Sequence, residues 1–350
     1  MRVYPVVSVE LKSQVESRNF NSLSRPPSLS AMINNLYVSR SFEQITRFYD
    51  YFHDSDDLSS WMYDRPKGNS EIVSFEGRVK DICVVVPTIS SSSDFAKRIL
   101  KETFRGLTVI FVESGPSNPF FNFSHNCNTG FQEALERFDP EWIIYSNDDM
   151  VPVDQPDRLA QQLSVDEIQS KDFVFSGYPS RYHSYVSNFV RPNILNNLLN
   201  PFRDDEERTI GKVEKRVRIK YLPVWTGNSS VLELLSHRIL HRSLGKIINI
   251  GSFGVFNSKF VREVNGMVFD ETFVNGLEDV DFSVRILRDK LNVGFIKYRI
   301  DDVVGGSSTK GKVRFLQLLA DYAYFNRKYP LRNVQDIIAD EKYIYGFSLA

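Results

Sequence analysis

Two acidic clusters in this sequence carry the residue types that phosphate and hydroxyl chemistry require. The first is Asn147-Asp148-Asp149, directly after the apolar run Trp142–Ser146. Adjacent carboxylates at the end of a buried strand repel each other and lose hydration, so a cation or hydrogen bonds must compensate. A hard divalent ion, Mg2+ or Mn2+, takes oxygen ligands and commonly uses one or two carboxylates plus substrate phosphates. Such an ion stabilises a leaving diphosphate as charge develops on it. In isolation the triplet reads as a strand-to-loop turn, which Asn and Asp favour. Its position at the end of a third strand tips the reading toward a ligand role.

The second cluster is Gly276-Leu277-Glu278-Asp279-Val280-Asp281. Acids in a first helical turn complement the helix dipole. Asp281 has a structural explanation, a surface pair with Arg285 four residues on. Glu278 and Asp279 are less easily absorbed. A general base must reach the proton of an acceptor hydroxyl, and Asp279 is the first candidate for that role, Glu278 the second.

The elements around these clusters alternate. Ile82–Val86 is a β-branched run ending in Pro87-Thr88, as a strand buried on both faces would read. A helical stretch (DFAKRILKETF) follows, then strand Thr108–Val112 ending in Glu113-Ser114-Gly115. A helix from Ser124 to Phe138 places Cys127, Phe131, Ala134, Leu135 and Phe138 on one face, and Trp142–Ser146 is a third strand. This order predicts an α/β fold, a mostly parallel sheet flanked by helices. Ligands bind beyond the carboxyl ends of such strands, so Thr88, Glu113 and Asn147–Asp149 are expected to face one crevice. Glu113 there is either a hydrogen-bond acceptor for a ribose or base, or a turn residue.

Beyond Asp149 the alternation loosens. Phe173–Gly177 reads as a strand, and residues 188–242 as an insertion. From Ile247 the text gives a strand, a short helix stopped at Gly266, and a helix opening at Glu278 with Val280, Val284, Leu287 and Leu291 on one face. Val313–Tyr329 is a long helix that Pro330 would stop. Val231–Ile250 reads as a helix laying its apolar side on the core, with a membrane-resting amphipathic helix as the alternative. Residues 1–78 form an appendage with a helix over Ser41–Phe52, opened by a capping box of Ser41 and Gln44.

The bulk numbers bound the partners. The 350 residues carry 43 Lys and Arg against 44 Asp and Glu, a net charge of −1 that points to no nucleic-acid partner. Two cysteines, Cys83 and Cys127, form no disulfide framework and read as reduced thiols. No signal-peptide core and no run of ~20 apolar residues is present, so a cytoplasmic protein is expected, with peripheral membrane contact left open. His183, His237 and His241 lack zinc-ligand spacing. No Gly-rich phosphate loop follows the first strand, which argues against NTPases and nicotinamide enzymes.

The runs VVVPT, VESG, SHNCNTGFQEAL and WIIYSNDDMVP, followed by GSFGVFNSKFVREVNGMVFDETFVNGLEDVDFSVRI, resemble the inverting family 2 glycosyltransferases of the GT-A fold. The resemblance covers Asp81 to Lys297. It implies a Rossmann-like GT-A domain over 79–305, with a nucleotide half (79–155), an acceptor half (156–305) and a C-terminal helical segment (306–350). It also implies a nucleoside-diphosphate sugar donor, usually UDP-linked, and a glycan, lipid-linked or protein acceptor. Pro87, Thr88 and Glu113 match positions that hold base and ribose, and Asn126 falls in a segment lining the nucleotide pocket. Asn147, Asp148 and Asp149 match the DXD-type motif, with Asp149, beside Asp148, the Mn2+ or Mg2+ ligand. Gly251 and Ser252 match the stretch beside sugar and acceptor, and Glu278-Asp279 the acceptor-side pair, with Asp279 as base. Two departures stand out: Asn147 replaces the first acid, and Asp301-Asp302-Val303-Val304-Gly305-Gly306-Ser307 has no His where the family often has one. Asp302 is an oxygen ligand in its stead, or a turn residue. A sugar-nucleotide binder without turnover, or a nucleotidyltransferase, are the other readings.

Overall fold

The computed structural model describes residue 36 and residues 39–115, 120–176, 185–191, 204–225, 243–274, 276–302 and 311–339. Helices α1 (Phe42–Tyr49) and α2 (Ser55–Asp64) precede strand β1 (Glu71–Phe75). Then come β2 (Val79–Thr88), α3 (Asp94–Arg98, prolonged by a π turn to Thr103) and β3 (Leu107–Glu113). Helix α4 (Phe123–Glu133, prolonged by a π turn to Phe138) leads to β4 (Trp142–Ser146) and the short β5 (Met150–Pro152). Helices α5 (Pro156–Leu163) and α6 (Asp166–Gln169) lead to β6 (Phe173–Ser176). The middle of the chain holds β7 (Tyr185–Val190), α7 (Asp205–Arg216), β8 (Leu222–Trp225) and β9 (Ser243–Asn249). It is followed by β10 (Phe253–Asn257), α8 (Ser258–Glu263), α9 (Glu278–Arg288), β11 (Val293–Ile296) and β12 (Ile300–Asp302). Helices α10 (Gly311–Lys328) and α11 (Leu331–Ala339) close the described chain.

The central sheet has seven strands in the order β1-β3-β2-β4-β10-β6-β11. β3, β2 and β4 are mutually parallel, β10 runs against both β4 and β6, and β6 is parallel to β11. All strands but β1 and β10 therefore point one way, a mostly parallel α/β sheet. The run Ile82–Thr88 is buried throughout because alternate residues serve opposite faces. Cys83 and Val85 join a cluster with Phe131 of α4 and Val284 of α9, while Ile82, Val84 and Val86 join Ala96, Ile99 and Leu159 on the other face. Gly130 makes the helix–sheet approach close, since a Cβ there would lie 2.2 Å from Val85 Cγ1. Both cysteines are buried free thiols.

Several expectations change. β1, from within the 1–78 appendage, pairs antiparallel with β3 at the sheet edge. The appendage helices pack on α10, with Ile45, Phe48 and Met62 in one cluster with Leu316 and Leu319. Of the capping box only one half forms: Ser41 accepts from the Gln44 amide, while the Gln44 side chain meets Ser39 Oγ instead. The described parts of 188–242 are not a peripheral insertion. β7 lies between β8 and β9 in a three-stranded sheet, and Phe189 and Tyr221 are fully buried against Phe325. The Val231–Ile250 helix is corrected over 243–249, which is strand β9; residues 231–242 lie outside the described residues. Pairing with β7 buries Ile247 and Ile248, and long-range packing decided the conformation of an ambiguous apolar run. The α9 helix ends at Arg288, so Leu291 follows it rather than extending its face. Among the described residues no helix is long and apolar enough to cross a membrane.

Candidate functional site

Parallel pairing sets the ends of β2, β3 and β4 side by side, with Thr88 opposite Glu113 and Val85 opposite Tyr145. Side chains and turns then knit the ends together. Thr88 Oγ1 donates to Asp148 Oδ2 at 2.7 Å, and Ser114 N donates to Thr88 O at 3.0 Å. Glu113 Oε1 accepts from Ser91 N at 2.7 Å, so its carboxylate holds the serine-rich turn after β2. Pro87 and Thr88 are buried, whereas Asn147, Asp148 and Asp149 are half-buried. The three polar strand ends thus meet at one edge.

The second acidic cluster reaches the same edge through β10, whose antiparallel pairing with β4 brings its first residue opposite Ser146. Asn147 N donates to Ser252 O at 3.0 Å. The preceding Gly251 adopts φ 64°, a left-handed conformation that favours glycine, and its N–H meets Asn249 Oδ1 at 3.1 Å. Ile250 N donates to Ser283 Oγ at 3.1 Å, and Ser283 Oγ donates to Asp279 O at 2.6 Å. Hydrogen bonds and the intervening main chain thus link Thr88 and Asp148, through Asn147, Ser252, Ile250 and Ser283, to the main-chain carbonyl of Asp279. The segments that carry the two acidic clusters, about 130 residues apart along the chain by their numbers, are joined through the residues that lead into β10.

The electrostatics of this edge are unusual for a resting surface. Burial pushes the Asp148 carboxyl up, partly offset by the Thr88 hydrogen bond. Burial, then the charges of Asp148 and Asp302, push Asp149 up to about 6. Asp302 arrives on β12, opposite Met150, and is itself raised by burial and by Asp301. Asp149 Oδ1 is buried with no hydrogen-bond partner among the described residues. Glu278 is pushed up to about 8 by burial first and the Asp279 charge second. Its Oε2 also lacks a partner among the described residues, while Asp279 Oδ1 accepts from Val280 N at 2.8 Å.

Among the described residues no group of three or more His, Cys, Asp or Glu side chains is arranged to hold a metal ion. Asp148 and Asp149 nevertheless fit a divalent cation in charge and chemistry. They are adjacent, partly desolvated hard-oxygen donors, and one buried oxygen is unpartnered. Two carboxylates suffice for Mg2+ where phosphate oxygens complete the shell.

Asn126 occupies the first turns of α4, which returns from the end of β3. It is 1% exposed; Ser70 Oγ donates to its Oδ1 at 2.5 Å and its Nδ2 has no partner among the described residues. Among the described residues its side chain thus meets Ser70 rather than the Thr88–Asp148 group. One residue before it, His125 Nδ1 lies 3.0 Å from Glu271 Oε2, and Asn128 Nδ2 donates to Glu271 Oε1 at 3.0 Å. Burial alone would raise the Glu271 carboxyl, but these two bonds outweigh it and hold it below its usual range. Glu271 was not singled out from the sequence; nothing in its spacing ties it to α4.

Asp281 is the clearest correction. It is 0% exposed and faces Lys328 and Tyr329, not Arg285 on the helix surface. Arg285 instead donates to Val268 O at 2.5 Å. The segment 303–307, with its Gly-Gly-Ser, and the histidines 183, 237 and 241 lie outside the described residues. Comparison with protein-family models gives no match, and comparison with curated proteins gives none either.

Proposed function

We propose that the chain transfers a sugar from a nucleoside-diphosphate sugar, UDP-linked in the first instance, to a hydroxyl acceptor with inversion. The observation that carries this reading is the linkage, by hydrogen bonds and intervening main chain, of Thr88 and Asp148 through Ser252 to the main-chain carbonyl of Asp279. It supports a phosphate-side and an acceptor-side carboxylate pair acting at the carboxyl ends of the parallel strands, where α/β sheets bind ligands. Pro87, Thr88 and Glu113 line the base and ribose end, Gly251 and Ser252 the sugar, and Asn126 the nucleotide flank. Asp279 takes the proton of the acceptor hydroxyl. That oxygen attacks the anomeric carbon while the bond to the diphosphate oxygen breaks, so the nucleoside diphosphate leaves with the electron pair. Asp149, beside Asp148, would hold Mg2+ or Mn2+, which supplies positive charge to the diphosphate when bound.

A thermal-shift screen of nucleoside-diphosphate sugars, with and without Mn2+, followed by assay of released nucleoside diphosphate, tests the reading. Stabilisation by a donor together with released diphosphate is expected. A shift without release favours a binder that does not turn over, the reading that Asn147 in place of the first acid supports. Neither shift nor release rejects both.

A further inference from the structure

Residues 270–274 and 276–281 lead into and carry Glu278 and Asp279, and α10, with Tyr329 just after it, holds them at three points. Lys328 Nζ lies 2.7 Å from Asp270 Oδ2 and 2.7 Å from Asp281 Oδ1. Tyr324 OH donates to Asp270 Oδ2 at 2.8 Å, and Tyr329 OH donates to Asp281 Oδ1 at 2.9 Å. Between these ends, Asp321 Oδ1 accepts from Val274 N at 2.7 Å. Gly276 lets the turn lie against α10, since a Cβ there would fall 2.3 Å from Leu318 Cδ2.

This external grip answers a weakness in α9. Ser41, Asp54, Asn122 and Asp204 cap their own helices with side-chain oxygens. α9 instead starts from Leu277 at φ 66°, a strained left-handed residue, with no side-chain cap. The start of the helix, where Glu278 and Asp279 sit, therefore depends on neighbours for its placement. Asp281 gives the grip its directionality. It is fully buried, its Oδ2 is unpartnered among the described residues, and Lys328 is the cation in direct contact with it, with the Arg288 charge nearby. A packing role alone would be served at lower cost by an apolar residue.

We propose that Lys328 is a positioning residue for the Glu278/Asp279 pair: by bridging Asp270 and Asp281 it closes the 270–281 segment and fixes the start of α9 at the sheet edge. The inference rests on the sugar-transfer reading for what the pair does, and on geometry alone for the clamp. The test uses the full chain with Lys328→Met, Lys328→Arg and the double variant Lys328→Met/Asp281→Asn, the last removing the charge that the single change would orphan. Hydrogen exchange should rise about tenfold or more at amides 273–282 in Lys328→Met, with β2, β3 and β4 unchanged and Lys328→Arg near wild type. Release of UDP from UDP-glucose or UDP-N-acetylglucosamine, with Mn2+, should fall about tenfold or more in kcat with KM within about twofold, because small misplacements of a base are costly. If Lys328→Met does not fold, the double variant must show the same two changes. Unchanged exchange over 273–282 overturns the clamp, as does exchange raised equally throughout the sheet. Raised local exchange with unaltered kcat overturns the positioning role. A wild-type chain that releases no UDP rejects the sugar-transfer reading instead, and the exchange result then still decides the clamp.

Discussion

Two groups of three aspartates are treated in opposite ways by this fold. Asp270 is half-buried and Asp281 fully buried against α10 and Tyr329, with Lys328, Tyr324 and Tyr329 as partners, while Asp321, buried on α10 itself, accepts from Val274 N. Burial would raise the Asp270 carboxyl, but the Lys328 charge and its hydrogen bonds hold it well below the usual carboxylate range. Among the described residues Asp148, Asp149 and Asp302 form no ion pair. The charges of Asp148 and Asp302 act on Asp149, and its Oδ1 has no partner among the described residues. Where the carboxylates serve the architecture, the chain supplies the counter-charge itself. Where no counter-charge stands among the described residues, our proposal puts a ligand cation or a phosphate–metal pair.

That contrast can be broken by substitution. The largest effect is expected at Asp279, the acid that does chemistry in our reading. Asp279→Asn should lower transfer by ~10²–10⁴-fold, the usual worth of a general base, and leave the donor-induced thermal shift in place. A folded Asp279→Asn that keeps full transfer removes the base from the proposal. Next come paired substitutions of opposite sign. Asp149→Asn should abolish the Mn2+-dependent part of the donor-induced shift, while without metal it melts no lower than wild type, because it relieves repulsion with Asp148 and Asp302. Asp281→Asn should instead lower stability by ~1–3 kcal/mol, since it weakens a charge-assisted bond between a buried carboxylate and the half-buried Lys328 ammonium. Melting curves of the two variants in chelator decide the matter. A loss of stability in both would mean that the Asp149 edge is as fully compensated as the Asp281 one.

The strand-end half of the site was legible because its placement follows from local rules. Apolar runs of strand length, ending in Pro87-Thr88, Glu113-Ser114 and Asn147-Asp148, must line up once the strands pair in parallel. The sheet order and β10's reversal could not be read, because an antiparallel strand inserted between β4 and β6 is a topological fact with no periodicity of its own. Asp281 shows the same limit at one residue. Its four-residue spacing to Arg285 suggests a helix-surface pair, but tertiary contacts with a helix some 47 residues downstream (Asp281 to Lys328, by their numbers) outweigh it. Ser283 likewise joins the site, and Glu271 the start of α4, through partners far away in sequence, and neither has a spacing that announces it. β9 was misread because an apolar, basic run of seven residues fits either helix or strand until its pairing partner is known.

The smallest expected effect separates the two neighbours Glu278 and Asp279. In the unfolded chain Glu278 ionises near its ordinary 4.5, whereas in the fold burial and the Asp279 charge raise it to about 8. Between those values the unfolded chain has released a proton that the native state still holds, so stability falls as pH rises through this window and the penalty is complete above about 8. Glu278→Gln does not titrate and escapes the penalty. Its melting temperature, relative to wild type, should therefore rise between pH 5 and pH 8 by about 2 °C or more. Gln also keeps a hydrogen-bond donor where the neutral acid had one, so turnover at pH 7 should fall by less than about tenfold, far less than in Asp279→Asn. A difference in melting temperature that stays flat across this pH range would show that Glu278 is ionised in the native protein. The two carboxylates would then have to share the edge as like charges, and the assignment of a single base to Asp279 would lose its electrostatic support.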